Sequence, residues 1–328
     1  MADSPWLEVA HEAVDQWDLD VDNIEEVSRS ENVVFRLQCR DGGLFVLRLH
    51  RPGYHSYDEL VSEQTWTAAL AASGIDVPVV RPTREGLPYG NVQILGQQRW
   101  VGVLEWVEGQ TMEFLIEAST DALEIAERFG QLGEILARMH NQAVDWQPPQ
   151  RFVRHAVDAD GLMGQRPFWG PFWRATMLSE TQREKYAALR ERIYALLREL
   201  QTSRKTYSLI HADLHPDNVV VSDKRLHVID FDDAGFGWHV YDLAVALKNY
   251  EAHADFGSYQ RALVSGYRRL RSLDDETVAL IPLFLVIRAL ACIGWIDARP
   301  DLEYFSEYAS GLIDYVDIQA EKVVVAFE

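Results

Sequence analysis

The feature that most constrains this chain is a polar loop between two short apolar strands. Ile210-His211-Ala212-Asp213-Leu214-His215-Pro216-Asp217-Asn218 leads directly into Val219-Val220-Val221, and twelve residues after Asn218 the run Val228-Ile229 ends on Asp230, followed by Phe231 and Asp232. Asp213 and Asn218 thus sit five positions apart across one loop, and Asp230 stands at the end of a strand. Any one of these residues alone would be an ordinary turn or capping residue. Together, with strand on both sides, they describe a site.

The chemistry that needs such a set is phosphoryl transfer. Charge develops on the phosphate oxygens, so a divalent metal must bridge them. Mg²⁺ takes hard oxygen ligands and few protein carboxylates. Asp230 and the side-chain oxygen of Asn218 suit it, which leaves Asp213 to accept the proton of an acceptor hydroxyl.

The loop resembles that of the aminoglycoside phosphotransferase and choline kinase superfamily, whose members have a protein-kinase-like fold, and within it the group of type II homoserine kinases and stress-response kinase A. The resemblance is carried by His211 to Asn218, Val228 to Asp232, Tyr241-Asp242-Leu243-Ala244, Leu132-Gly133 with Ala137-Arg138-Met139-His140, and Phe45 to Pro52. It spans roughly residues 25 to 250. It implies ATP as donor and Mg²⁺ as metal. It also implies that the basic residue on the third strand is Arg48, in place of the usual Lys, held by Glu63 on the following helix, with Glu59 one turn earlier as the fallback. No Gly-x-Gly-x-x-Gly loop is present; Ser30-Glu31-Asn32 fills that turn, and the resemblance implies that Ser30, Asn32 and their backbone cover the phosphates. Glu105-Trp106-Val107 resembles the hinge whose backbone receives the adenine edge. His211 is expected to support the loop and Asp242 to be a buried anion beneath it. Asp232 is a second metal ligand or an acceptor-site charge. His215 is read as structural, because no metal-type ligand is spaced near it.

The rest of the chain fits an α+β, bilobal protein-kinase-like fold: a small β-rich N-lobe with one helix, and a larger, mainly helical C-lobe. Val33 to Cys39 and Leu44 to Leu49 flank Asp41-Gly42-Gly43 as a hairpin, and Tyr57 to Ala72 is a helix ended by Gly74. A second hairpin is expected between Val92 and Glu105. Leu123 to His140 has a helical apolar stripe, Glu180 to Leu200 is a charged helix, and the chain after Tyr241 reads as helix. The expected boundary divides residues 1–107, a nucleotide-binding lobe, from residues 108–328, a catalytic and acceptor-binding lobe.

Composition narrows the acceptor by exclusion. The 328 residues carry 31 Lys+Arg against 51 Asp+Glu, a formal net charge of −20, which argues against nucleic acid as a partner. The N-terminal stretch from Met1 to Trp6 lacks the basic and apolar regions of a secretory signal. The longest apolar run, Val278 to Ile287, is broken by Pro282 and ended by Arg288, too short for a membrane span. Cys39 and Cys292 form no framework. A cytoplasmic protein with no membrane partner is expected. The aromatic segment Arg166 to Arg174 would line a pocket for an amine-bearing acceptor or plug the large lobe. No Ala-Pro-Glu segment or long activation loop follows Asp230, which favours a small-molecule hydroxyl acceptor. The alternatives are a Ser/Thr protein kinase of the stress-response kinase A type and a nucleotide-binding pseudokinase.

Overall fold

Alternating burial builds an antiparallel sheet from the N-terminal part of the chain. The computed structural model describes residues 5–30, 32–222, 225–300 and 306–327; Met1 to Ser4 and Glu31, read above, lie outside them. Helix α1 (Pro5–Val14) precedes β1 (Val21–Arg29), β2 (Val33–Cys39) and β3 (Leu44–Leu49); α2 (Tyr57–Ala72), β4 (Val80–Arg81), β5 (Gly90–Ile94) and β6 (Gln97–Glu105) follow. The sheet order is β1-β2-β3-β6-β4, with β5 paired to β6. Phe35 and Leu37 of β2 and Phe45, Leu47 and Leu49 of β3 pack in one core with Ala10, Ala13, Val14 and Trp17. Period-two alternation then puts Arg48 on the other face, in register with Val34 and Gly102. A capping box starts α2, with Glu59 N–H donating to Ser56 Oγ at 3.3 Å and Ser56 N–H to the Glu59 carboxylate at 2.8 Å. Helix α1 comes in addition to the one helix read from the sequence. Its ten residues are too few for periodicity to announce it, and it is held by burying Ala10, Ala13 and Val14.

The later elements are β7 (Gln110–Thr111), α3 (Met112–Ala118), α4 (Ala122–Asp145), β8 (Ala156–Val157), α5 (Ala159–Met163), α6 (Glu180–Glu199), β9 (Tyr207–Ile210), β10 (Val219–Ser222), β11 (Arg225–Val228), β12 (Gly235–Trp238), α7 (His239–Leu247), α8 (Phe256–Leu270), α9 (Asp275–Ala279), α10 (Ile281–Asp297) and α11 (Ser306–Val325). The chain forms two compact units. The first takes the residues to Gln110, then Gln147–Val153 and Val220–Asp232; the second takes Thr111–Trp146, Arg154–Val219 and the residues from Asp233 on. A single cut at 107/108 misses the two later returns to the first unit. The second return is held by one main-chain bond and one ion pair that no sequence pattern announces: Val228 N–H donates to Asp76 O at 2.9 Å, and Arg225 Nε to the Asp76 side chain, Oδ2, at 2.9 Å.

Two helices of the second unit meet backbone to backbone. A Cβ on Gly133 of α4 would lie 2.0 Å from Leu263 O of α8, and one on Gly266 of α8 would lie 1.9 Å from Gly130 O. Gly133→Ala is therefore expected to push the helices apart and cost about 3 kcal/mol, read as a lowered denaturation midpoint at unchanged slope. Among the described residues, no helix is long and apolar enough to cross a membrane.

Candidate functional site

In the first unit, the buried face of α2 brings Glu63 to the strand face that carries Arg48. Arg48 Nη1 lies 3.7 Å from Glu63 Oε1, Nη2 lies 3.0 Å from Asp230 Oδ1, and Nη1 lies 3.8 Å from Asp232 Oδ1. Burial works against the guanidinium charge, but Asp230, Asp232 and Glu63 outweigh it and keep Arg48 firmly cationic. Asp230 has a left-handed backbone, φ 62, and its side chain is 43% exposed. A non-glycine residue held in that region is strained, and such strain gathers at functional sites. The Asp230 side chain therefore stays partly open to solvent while paired with Arg48.

Asp232 is placed differently from its neighbour. Its side chain is 8% exposed. It accepts from Asn32 Nδ2 at 3.0 Å and lies 3.7 Å from His50 Nδ1. Burial would raise its carboxyl, but the nearby His50 and Arg48 hold it well below the usual range. Asn32 also accepts from Arg51 N–H at 3.1 Å, and Ser30 N–H donates to Asn32 O at 3.0 Å. The Asn32 side chain thus ties the β1–β2 turn to Asp232, while Ser30 is exposed. A cavity beside Arg48 is lined by Glu63, Val80, Tyr89, Leu104 and Phe231. At the hinge segment, Glu105 N–H donates to Val79 O and Trp106 N–H to Leu44 O, at 2.8 and 3.0 Å. Glu105 also pairs with Arg81 at 3.2 Å. Among the described residues, Val107 N–H makes no such bond.

Arg48 holds three buried or half-buried carboxylates together. Arg48→Met is expected to cost about 3–5 kcal/mol, because it leaves those anions uncompensated. Arg48→Lys should recover part of the loss, since it restores the charge without the fork. Urea unfolding of the three proteins measures this directly.

In the second unit the loop between β9 and β10 is strapped from below. Asp242, on α7 and fully buried, accepts from His211 N–H at 3.0 Å and from Ala212 N–H at 2.7 Å. Ala212 has φ 65, so the strap holds a strained turn. Burial pushes the Asp242 carboxyl up to about 6, against the pull of His211 and the two amides. His140 Nε2 lies 3.0 Å from Asp242 and its Nδ1 2.8 Å from Tyr267 OH. Burial lowers His140 to about 3, so the ring is neutral and those partners set its tautomer.

Above the strap, Asn218 Nδ2 donates to Asp213 O at 2.9 Å and lies 3.3 Å from His215 Nε2. The loop uses the amide nitrogen and leaves Asn218 Oδ1 as an acceptor, which is the donor chemistry Mg²⁺ wants. Asp213 pairs with Arg288 of α10. Burial would raise the Asp213 carboxyl, but Arg288, then His215 and His211, hold it well below the usual carboxylate range. His215 Nε2 lies 3.7 Å from Asp213 Oδ2. Burial opposes its charge, and Asp213 raises its pKa despite that. His215, read as structural, therefore faces the Asp213 carboxylate.

The sequence profile of the phosphotransferase enzyme family matches residues 23–276. The chain belongs to the phosphotransferase enzyme family. It is 25% identical to the amicoumacin kinase of Bacillus subtilis (strain 168), over 92% of this chain and 87% of that protein. It is 30% identical to the homoserine kinase of Rhizobium meliloti (strain 1021), over 77% of this chain and 72% of that protein. A solved microcompartment-associated aminopropanol kinase superposes with a TM-score of 0.82 at 28% identity, covering 98% of both chains. The chain is thus an enzyme, a kinase, with the protein-kinase-like fold of its structural neighbours.

For a phosphotransferase of this family, the residue that sequence reading missed is Arg288. Its signal was in plain view. Helix α10 buries thirteen apolar or small residues between Ile281 and Ile296, and Arg288 is the charged residue among them. A lone cation on a helix buried all round needs a partner, and that partner is Asp213. The aromatic segment turned out largely as packing: Trp169, Phe172 and Trp173 are all buried.

Proposed function

We propose that the chain transfers the γ-phosphoryl group of ATP to a hydroxyl of a small metabolite, with Mg²⁺ as the metal. The observation that carries this is Asp213: a carboxylate kept anionic on a strapped loop, beside an Asn218 whose side-chain oxygen is left unused by that loop. Asp213 orients the acceptor hydroxyl and takes its proton as the new O–P bond forms and the bond to the β-phosphate oxygen breaks, releasing ADP. In the first unit Arg48, steadied by Glu63, meets the phosphates, and Val107 N–H the adenine edge. Asp230 and Asn218 are the residues that would hold Mg²⁺, which would supply charge neutralisation to the phosphate oxygens. The kinases to which the chain is similar are named for small acceptors — amicoumacin, homoserine and aminopropanol — and this supports a metabolite over a protein side chain.

A coupled assay for ADP release, with Mg²⁺-ATP and a panel of amino alcohols, hydroxy acids, sugars and protein substrates, tests the reading. ADP release that depends on a small hydroxyl compound and stops with EDTA is the expected result. Release only with protein substrates, or none with any acceptor, sinks it.

A further inference from the structure

Arg288 sits on the residue that has to receive the acceptor. Its guanidinium occupies Asp213 Oδ1, while the Asp213 Oδ2 side is faced by Asn218 Nδ2 at 3.4 Å and His215 Nε2 at 3.7 Å. Both oxygens of the carboxylate are thus engaged before any hydroxyl arrives. A buried ion pair of this kind does little for net stability compared with apolar packing. Nothing in the packing of α10 calls for a guanidinium at this position, since its neighbours on the helix are apolar.

The guanidinium also has an aromatic neighbour. It lies over the Trp169 ring, 5.8 Å from the centroid. Trp169 is itself pinned, with Nε1 donating to Asp233 Oδ2 at 3.0 Å and its ring stacked on Tyr241 at 5.9 Å. The Arg288 side chain keeps 13% of its surface open and Asp213 keeps 22%. A guanidinium has five N–H donors in a rigid fork that matches a carboxylate with two parallel bonds. The chain as a whole carries a net charge of −20, yet Asp213 is paired with Arg288 and lies 3.7 Å from His215 Nε2, above a loop that Asp242 straps from beneath.

We infer that Arg288 is an anion receptor in the acceptor site, binding the carboxylate of a short hydroxy acid whose hydroxyl is presented to Asp213. This rests on the reading of Asp213 as the residue that meets the acceptor hydroxyl. Arg288 rests on Asp213; the incoming carboxylate draws the fork to itself and frees Oδ1 for the hydroxyl. Contact between the two side chains limits the ligand. A carboxylate on Arg288 and a hydroxyl on Asp213, each at hydrogen-bond distance, lie roughly 4–6 Å apart, the span of about two to four carbons. An amino alcohol of the same length would leave the fork unmatched.

Matched acceptors test this: free serine against ethanolamine, and γ-hydroxybutyrate against n-butanol, each assayed for kcat/KM with wild type, Arg288→Lys and Arg288→Met. Wild type should favour the acid of each pair by about 100-fold or more, and the ratio should collapse toward unity in Arg288→Met and fall only partly in Arg288→Lys. A wild type that prefers the alcohols overturns the inference. So does a parallel loss on acids and alcohols at constant ratio, which would make Arg288 a holder of Asp213 only. Equilibrium binding of butyrate and butylamine needs no turnover. Butyrate binding that is weakened in Arg288→Lys and lost in Arg288→Met supports the receptor even if no acceptor is phosphorylated, a result that would count against the kinase assignment alone. Preferential binding of butylamine counts against the receptor itself.

Discussion

Asp213→Asn is expected to lower turnover about a thousandfold while leaving the affinity for nucleotide within about threefold. Asparagine keeps the shape of the side chain but cannot take the proton of an acceptor hydroxyl. Nucleotide affinity is spared because Arg48, Glu63 and Val107 belong to the first unit and Asp213 to the second. The loop should survive, since its main bonds run from Asp242 to the His211 and Ala212 amides and from Asn218 Nδ2 to the Asp213 carbonyl. Steady-state turnover, with calorimetric binding of ATP on the same preparation, separates the two effects. Turnover at the wild-type rate would remove Asp213 from the mechanism.

Asp242→Ala is the second large effect, and its readout is stability before activity. The buried carboxylate accepts two main-chain N–H groups, at 3.0 and 2.7 Å, and a ring N–H of His140 at 3.0 Å. Alanine leaves all three donors without an acceptor in a site closed to water. It also frees Ala212 from the strap that holds its φ at 65. Unpaired buried donors cost about 1–3 kcal/mol each when nothing relaxes, and relaxation of the loop limits the total to about 3–5 kcal/mol. The urea midpoint should fall accordingly, and the folded remainder should turn over slowly because Asp213 is no longer presented. A variant with wild-type stability would show that the strap is not what holds the loop.

The candidate site was legible where chemistry is encoded by neighbours in sequence. Asp213 and Asn218 share a loop, so their spacing alone predicted that the two side chains would meet, and Asn218 Nδ2 lies 3.4 Å from Asp213 Oδ2. Arg48 was named through the family resemblance of Phe45 to Pro52, and the alternation of β3, with Leu47 and Leu49 buried, sets it on the opposite face. What stayed hidden depends on residues far apart in the chain. The Asn32–Asp232 bond joins positions 200 residues apart, and the Arg288–Asp213 pair positions 75 apart. No periodicity carries such information. Arg288 left a trace only as the charge that ends an apolar run, where it served as an argument about membranes. Asp230 and Asp232, two residues apart, show the limit of reading by adjacency. One is 43% exposed with a strained backbone, while the other is buried against Asn32, Arg48 and His50. Helix α1 and the returns of the chain to the first unit were hidden for the same reason: they are stabilised by burial and pairing with distant partners rather than by local pattern.

The most direct measurement is the fate of the label in γ-labelled ATP. The protein is incubated with it and Mg²⁺, first alone and then with small hydroxyl compounds, and the products are resolved into small molecule, protein and inorganic phosphate. The predicted result is label on a small hydroxyl compound, absent with EDTA and absent with Asp213→Asn. Label confined to protein, or ATP bound with no label transferred to any compound, would contradict it.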